Sequence, residues 1–161
     1  MDDVLILTTG GTIDKLYFDA LSTYQIGDSV VDRLLQTARV KLPYRISELM
    51  RKDSLELTDA DRAAIVAAAA AAPERRIVIT HGTDTMTETA RALAEVSGKT
   101  IVLVGALAPA RFAESDATFN LGMAFAVAQV AVPGVWIAMN GRVFDGTKVR
   151  KDRTVNAFVA V

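Results

Sequence analysis

Short apolar runs rich in β-branched residues recur at residues 4–8, 77–80 and 100–104, and a fourth at 134–139 contains the only tryptophan. Runs of about 4–6 such residues with little polar alternation are the pattern of strands covered on both faces, as in a parallel sheet. Helical patterns lie between them. The acidic start Thr58-Asp59-Ala60-Asp61 leads into a helix over 62–72, with Thr58 or Asp59 as N-cap and Pro73 closing it. Residues 85–96 place Met86, Ala90, Leu93 and Ala94 at helical spacing, and Thr85 with Glu88 predicts a capping box. Ser115 or Asp116 is positioned to cap a third helix through Leu121, Met123, Phe125 and Val127. Strand and helix alternate along the chain. This predicts a single α/β domain, a wound and mainly parallel sheet with helices on both faces, as in Rossmann- and flavodoxin-like layering. Residues 14–27 read as a loop, and the tail after Gly141 shows no clear period.

The composition closes off several kinds of chemistry. A length of 161 residues fits one domain. With 18 Lys and Arg against 19 Asp and Glu, the net charge of −1 is unlike that of a nucleic-acid binder. The absence of cysteine excludes disulfides, thiolate metal sites and a cysteine nucleophile. His81 is the sole histidine, so a His-rich metal centre is excluded too, and neither metal nor cofactor is expected. The start Met1-Asp2-Asp3 has no basic, apolar leader, and no stretch approaches the 18 or so apolar residues of a membrane span. The expectation is a cytoplasmic protein without membrane or nucleic-acid partners.

Ligands of a parallel α/β sheet bind beyond the carboxyl ends of its strands, and two such ends are unusual here. The first strand runs into Thr8-Thr9-Gly10-Gly11-Thr12, where glycines let backbone N–H groups approach a ligand. A phosphate-cradling turn has the same local look, but neither G-x-G-x-x-G nor G-x-x-x-x-G-K-[ST] is present. The second end reads Thr80-His81-Gly82-Thr83-Asp84-Thr85-Met86. Locally, Asp84 is a candidate helix N-cap and His81 a histidine satisfied within the turn. A third cluster gathers Lys148, Arg150, Lys151 and Arg153 around Asp152; most of it reads as solvated loop, with one lysine able to turn toward an acid such as Asp84.

Taken together, Thr9-Gly10-Gly11-Thr12-Ile13 and the later His81-Gly82-Thr83-Asp84-Thr85-Met86 resemble the bacterial-type L-asparaginase family of threonine amidohydrolases. The likeness extends to Tyr24-Gln25-Ile26-Gly27, Asp53-Ser54, Val104-Gly105-Ala106, Ser115-Asp116 with Phe119-Asn120-Leu121, and Asp145-Gly146 with Lys151, so it covers the whole chain. It implies an amidohydrolase that converts L-asparagine to L-aspartate and ammonia through an acyl-enzyme, with L-glutamine a weaker substrate. Thr12 is implied as nucleophile, assisted by Tyr24, with Thr83, Asp84 and Lys151 as a second catalytic cluster. Gly11, Ser54, Gly82, Thr83 and Asp84 are implied to bind substrate, Ser54 at the α-carboxylate and Asp84 at the α-ammonium. Many relatives carry glutamine after that serine, where this chain has Leu55. The resemblance further implies that residues 1–161 correspond to the N-terminal catalytic domain, that the family's C-terminal domain is absent, and that the chain forms a homo-oligomer, a dimer or tetramer.

A carboxylate beside Lys151 favours its charged form, so the lysine is expected to orient Thr83 or pass a proton. Which threonine attacks first stays open at this level. Two other readings stand beside amide hydrolysis. One is a non-catalytic amino-acid-binding or regulatory module on the same fold, and the other is a phosphate- or nucleotide-binding domain.

Overall fold

The computed structural model describes residues 3–18 and 23–161. Its main sheet is built from β1 (Val4–Gly10), β4 (Tyr44–Lys52), β5 (Arg76–Thr80), β6 (Thr100–Val104), β7 (Gly134–Met139) and β8 (Arg142–Asp145). These six strands lie side by side in the order β4-β1-β5-β6-β7-β8. The first five are mutually parallel, and β8 pairs antiparallel with β7. Numbered along the chain, the parallel strands lie in the order 2-1-3-4-5, the flavodoxin-like doubly wound arrangement. The wound α/β expectation holds.

Alternation along each strand divides the core into two layers. Leu5, Leu7, Ile77, Ile79, Ile101 and Leu103 face α2 (Asp59–Ala71) and α3 (Met86–Leu93), burying Ile65, Ala69, Met86, Ala90 and Leu93. Val4, Ile6, Val78, Val102 and Val104 face α1 (Val31–Thr37) and α4 (Ala117–Val130), burying Leu35, Leu121, Ala124 and Phe125. Full burial of one such aliphatic side chain stabilises the fold by about 1.5–3 kcal/mol before entropy is counted.

Several local expectations need correction. Residues 14–27 are not simply a loop: β2 (Lys15–Phe18) and β3 (Thr23–Ile26) pair antiparallel, with Leu16 opposite Gln25. Strand β4 and helix α1 lie where no element is expected. The tail forms β8, then a ladder of β9 (Val149–Asp152) against β10 (Ala157–Ala160). Thr58 does cap α2, in a reciprocal box with Asp61. The Thr85–Glu88 box is absent, however, because the Thr85 hydroxyl donates to the Ser54 carbonyl at 2.7 Å. Thr85, not Asp84, holds the N-cap position of α3, and that helix ends at Leu93. Among the described residues no helix is long and apolar enough to cross a membrane.

Candidate active site

The order of this doubly wound sheet reverses between β1 and β5, and beyond the carboxyl ends of such strands is where sheets of this kind bind their ligands. Thr9 Oγ1 donates to the Thr80 carbonyl at 2.7 Å and ties those two ends together. Beyond β1, Gly10 and Gly11 have φ of +103° and +85°, which favour glycine. Gly11 also has no room for a side chain, since a Cβ there would stand 2.6 Å from Gly82 Cα and 2.8 Å from the His81 carbonyl carbon. A Cβ on Gly82 would in turn lie 2.6 Å from Ser54 Cβ and 2.7 Å from Ser54 Oγ. The Gly11 backbone, the Gly82 backbone and Ser54 are therefore in direct contact. Thr12 and Thr83 each follow one of the two touching glycines, so two hydroxyl residues leave the same point in the fold.

From the far end of the chain, β9 delivers Lys151. Its Nζ donates to Thr83 Oγ1 at 2.7 Å and to Asp84 Oδ1 at 2.9 Å. Thr83 is buried, and the Lys151 side chain is only 11% exposed, so this pair of bonds is largely shielded from solvent. With its lone pair engaged by lysine, the Thr83 hydroxyl keeps its own proton for another acceptor. Thr12 is half-buried, and its hydroxyl has no hydrogen-bond partner among the described residues. The Gly11 N–H, expected to face a ligand, instead donates to the Lys52 carbonyl at 2.9 Å.

Ser54 is buried in a short turn capped by Asp53, whose carboxylate accepts from Leu55 N–H at 3.0 Å. Ser54 Oγ accepts from Thr85 N–H at 3.2 Å, which leaves its own proton for an anionic group. Leu55 is 63% exposed. His81 is fully buried, with Nδ1 2.6 Å from the Gly82 carbonyl and Nε2 2.7 Å from Thr89 Oγ1. Burial pushes its pKa down to about 4, so at neutral pH it is uncharged. The carbonyl can only accept, so Nδ1 carries the hydrogen and Nε2 accepts from the threonine. His81 thus fixes the Gly82 turn from behind.

Tyr24 lies in β3, directly opposite Tyr17 of β2. It is 53% exposed and tilts against Phe112 with ring centroids 6.1 Å apart. Tyr24 also borders an open groove of about 330 Å³ with Lys15, Gln25, Arg51, Asp53 and Glu56. Lys15 Nζ bridges to Asp53 at 3.2 Å, so the Tyr24 hairpin is tethered to the turn that carries Ser54. No group of acids or histidines suited to a metal ion occurs among the described residues.

The family model "Asparaginase, N-terminal" matches residues 3–160. The chain belongs to the asparaginase family. Its sequence is 31% identical over 174 residues to an L-asparaginase of Thermococcus kodakarensis, covering 98% of this chain and 51% of that protein. It is 32% identical to a glutamyl-tRNA(Gln) amidotransferase component of Pyrococcus abyssi, covering 96% of this chain and 39% of that one. In structure it superposes on the thermostable L-asparaginase from Thermococcus kodakarensis with a TM-score of 0.83 at 28% identity, covering 99% of this chain and 51% of that one. A probable cytoplasmic L-asparaginase from Campylobacter jejuni gives a TM-score of 0.83 at 29% identity, covering 99% and 53%. The chain spans about half the length of the curated relatives it matches.

Within this asparaginase-family domain, the fold brings together Gly11, Thr12, Ser54, Gly82, Thr83, Asp84 and Lys151, and it leaves Tyr24 on the outer hairpin. Three residues that the sequence names without a site role also contribute. Thr85, expected to cap a helix with Glu88, instead bonds Ser54 through both its N–H and its hydroxyl. Asn120 is buried, donating to the Gly105 carbonyl at 2.9 Å and to Asp116 at 2.8 Å, so it braces the loop after β6. Arg153 stands beside Asp84. A polar asparagine on the buried face of α4 is a readable signal in the sequence.

Proposed function

We propose that this domain hydrolyses the side-chain amide of L-asparagine to L-aspartate and ammonia. The observation that carries the reading is the Lys151–Thr83–Asp84 cluster, set against the glycine contact that also emits Thr12. Thr12 Oγ1 attacks the amide carbon, and the C–N bond breaks as the nitrogen takes a proton and leaves as ammonia. Water then cleaves the threonine ester, releasing aspartate and restoring the hydroxyl; dividing the reaction in this way lowers the barrier of each half. Lys151 and Thr83 form the proton route beside the reacting carbon, a role that contributes about 10²–10⁴-fold in enzymes generally. Since the Gly11 N–H is committed to Lys52, the oxyanion donor from this turn falls to Thr12 N–H.

Ser54, with its proton unengaged, receives the α-carboxylate, and Asp84 Oδ2 receives the α-ammonium. Tyr24 is proposed to assist Thr12 by a movement of its hairpin over the site. Glutamine is the weaker substrate in this reading, one methylene in a pocket being worth about 1–3 kcal/mol. We further propose that residues 1–161 act as a catalytic domain of the asparaginase N-terminal type, assembled as a homo-oligomer. The cytoplasmic setting draws support from the Campylobacter jejuni relative described in those terms.

Ammonia release from asparagine, with Thr12→Ala as the comparison, tests the chemistry. The wild-type protein is expected to release ammonia and the variant to lose at least a hundredfold in rate. Equal rates overturn the nucleophile assignment. Aspartate binding without turnover would convert the site into an amino-acid-binding module.

A further inference from the structure

Asp84 faces two cationic side chains. Lys151 Nζ donates to its Oδ1 at 2.9 Å, and Arg153 Nε lies 3.7 Å from the same oxygen. Lys151 is nearly buried and shared with Thr83, whereas Arg153 is 65% exposed and sits in the turn between β9 and β10. Neither neighbouring acid is an unpaired carboxylate: Asp53 pairs with Lys15 at 3.2 Å and also feels the Lys151 charge, and Asp152 pairs with Arg150 at 3.5 Å. An amino-acid substrate would bring a third cation, its α-ammonium, to a carboxylate already facing two. Its α-carboxylate experiences the opposite effect. The residue beside Ser54 is the exposed apolar Leu55, whose side chain has no hydrogen bond to give, so beyond the Ser54 hydroxyl it is local positive charge that supports an anionic end.

We propose that Arg153 is a specificity-determining residue whose guanidinium competes with an α-ammonium for Asp84. It tilts the site toward carboxamides that carry a carboxylate but no free α-ammonium, the class of succinamate and N-acylated asparagine. The inference rests on the amide-hydrolase reading and adds the substrate class. An exposed pair at this distance is screened by water, so the expected effect is about 1.5- to 5-fold, not orders of magnitude.

The test compares kcat/KM for asparagine and for succinamate, the same amide with hydrogen in place of the α-ammonium. Arg153→Gln is expected to raise the asparagine-to-succinamate ratio by about 1.5- to 5-fold, while Arg153→Lys, which keeps the charge, leaves it near the wild-type value. An unchanged or lowered ratio in Arg153→Gln, in an enzyme that hydrolyses either amide, overturns this inference alone. If neither amide is hydrolysed, the amide-hydrolase reading fails, and calorimetry with aspartate and succinate still measures the competition at Asp84. There, a rise in the aspartate-to-succinate affinity ratio on Arg153→Gln supports the role of Arg153, and an unchanged ratio, or binding of neither ligand, overturns it.

Discussion

Replacing Gly11 with alanine tests the contact that joins the two threonine-bearing turns. Gly11 has φ +85° and ψ −176°, a region that is essentially glycine's alone, and holding another residue there costs about 1–3 kcal/mol. The new methyl would also stand 2.6 Å from Gly82 Cα and 2.8 Å from the His81 carbonyl carbon, so main chain must move on one side or the other. Overpacking of that kind costs a further 1–3 kcal/mol or so. The sum, about 2–6 kcal/mol, is a large part of the roughly 5–15 kcal/mol that holds a domain folded. Gly98 supplies the control, because its φ is +73° but nothing lies within 4 Å of a Cβ built there. Gly98→Ala should therefore lose only the conformational part, about 1–2 kcal/mol. Urea unfolding of both variants reads the difference directly. A Gly11→Ala protein that fails to accumulate while Gly98→Ala folds lies at the upper end of the same expectation. Losses equal to within about 0.5 kcal/mol would refute the argument that the two turns are pressed together.

Two further substitutions address the site and its surroundings. Lys151→Met keeps most of the stem but removes both hydrogen bonds, to Thr83 and to Asp84. Amide hydrolysis should drop by about 10²–10⁴-fold; retention of more than a tenth of the activity contradicts the proton-route role. The second concerns pH. Asp14 is 1% exposed, and burial raises its pKa from 3.8 to about 6, whereas burial lowers that of His81 from 6.5 to about 4. The Asp14 contribution is complete below its unfolded value of 3.8 and is lost as pH rises through about 6. That of His81 is complete above 6.5 and is lost as pH falls toward 4. Each is on the order of 3 kcal/mol, and their slopes oppose one another. Asp14→Asn removes one slope, so urea unfolding should show the variant gaining about 2 kcal/mol on wild type between pH 4 and pH 7. A difference that does not vary with pH contradicts this.

The legible parts of the fold are those with an unambiguous period. β5 and β6 are buried along nearly their whole length, so β-branched residues fill consecutive positions and announce a two-sided strand. β4 is an edge strand that carries Arg45, Glu48, Arg51 and Lys52, and its partial burial gives no such run. Helix α1 spans only 7 residues, too short for a 3.6-residue period to declare itself. The hairpin of β2 and β3 pairs only four residues a side, with three of the four on β3 exposed. In the site, the turn glycines are legible because Gly10-Gly11 and Gly82 follow strand ends. Their mutual contact is not, since it depends on β1 and β5 lying side by side. Lys151 reaches Thr83 across 68 positions, and nothing local in the basic cluster singles it out from Lys148 or Arg150. Only the resemblance to the asparaginase family picks it out. Thr85 illustrates the opposite failure, a correct capping pattern overridden by a tertiary partner, the Ser54 turn.

One site, beside the touching Gly11 and Gly82 turns, is proposed to handle both ends of an asparagine. A crystal structure of the protein with L-aspartate bound tests this most directly. The side-chain carboxylate is expected between Thr12 and Thr83, with the α-carboxylate on Ser54 Oγ and the α-ammonium on Asp84 Oδ2. Aspartate seated elsewhere, or in that site with its side chain turned away from both threonines, would contradict the account.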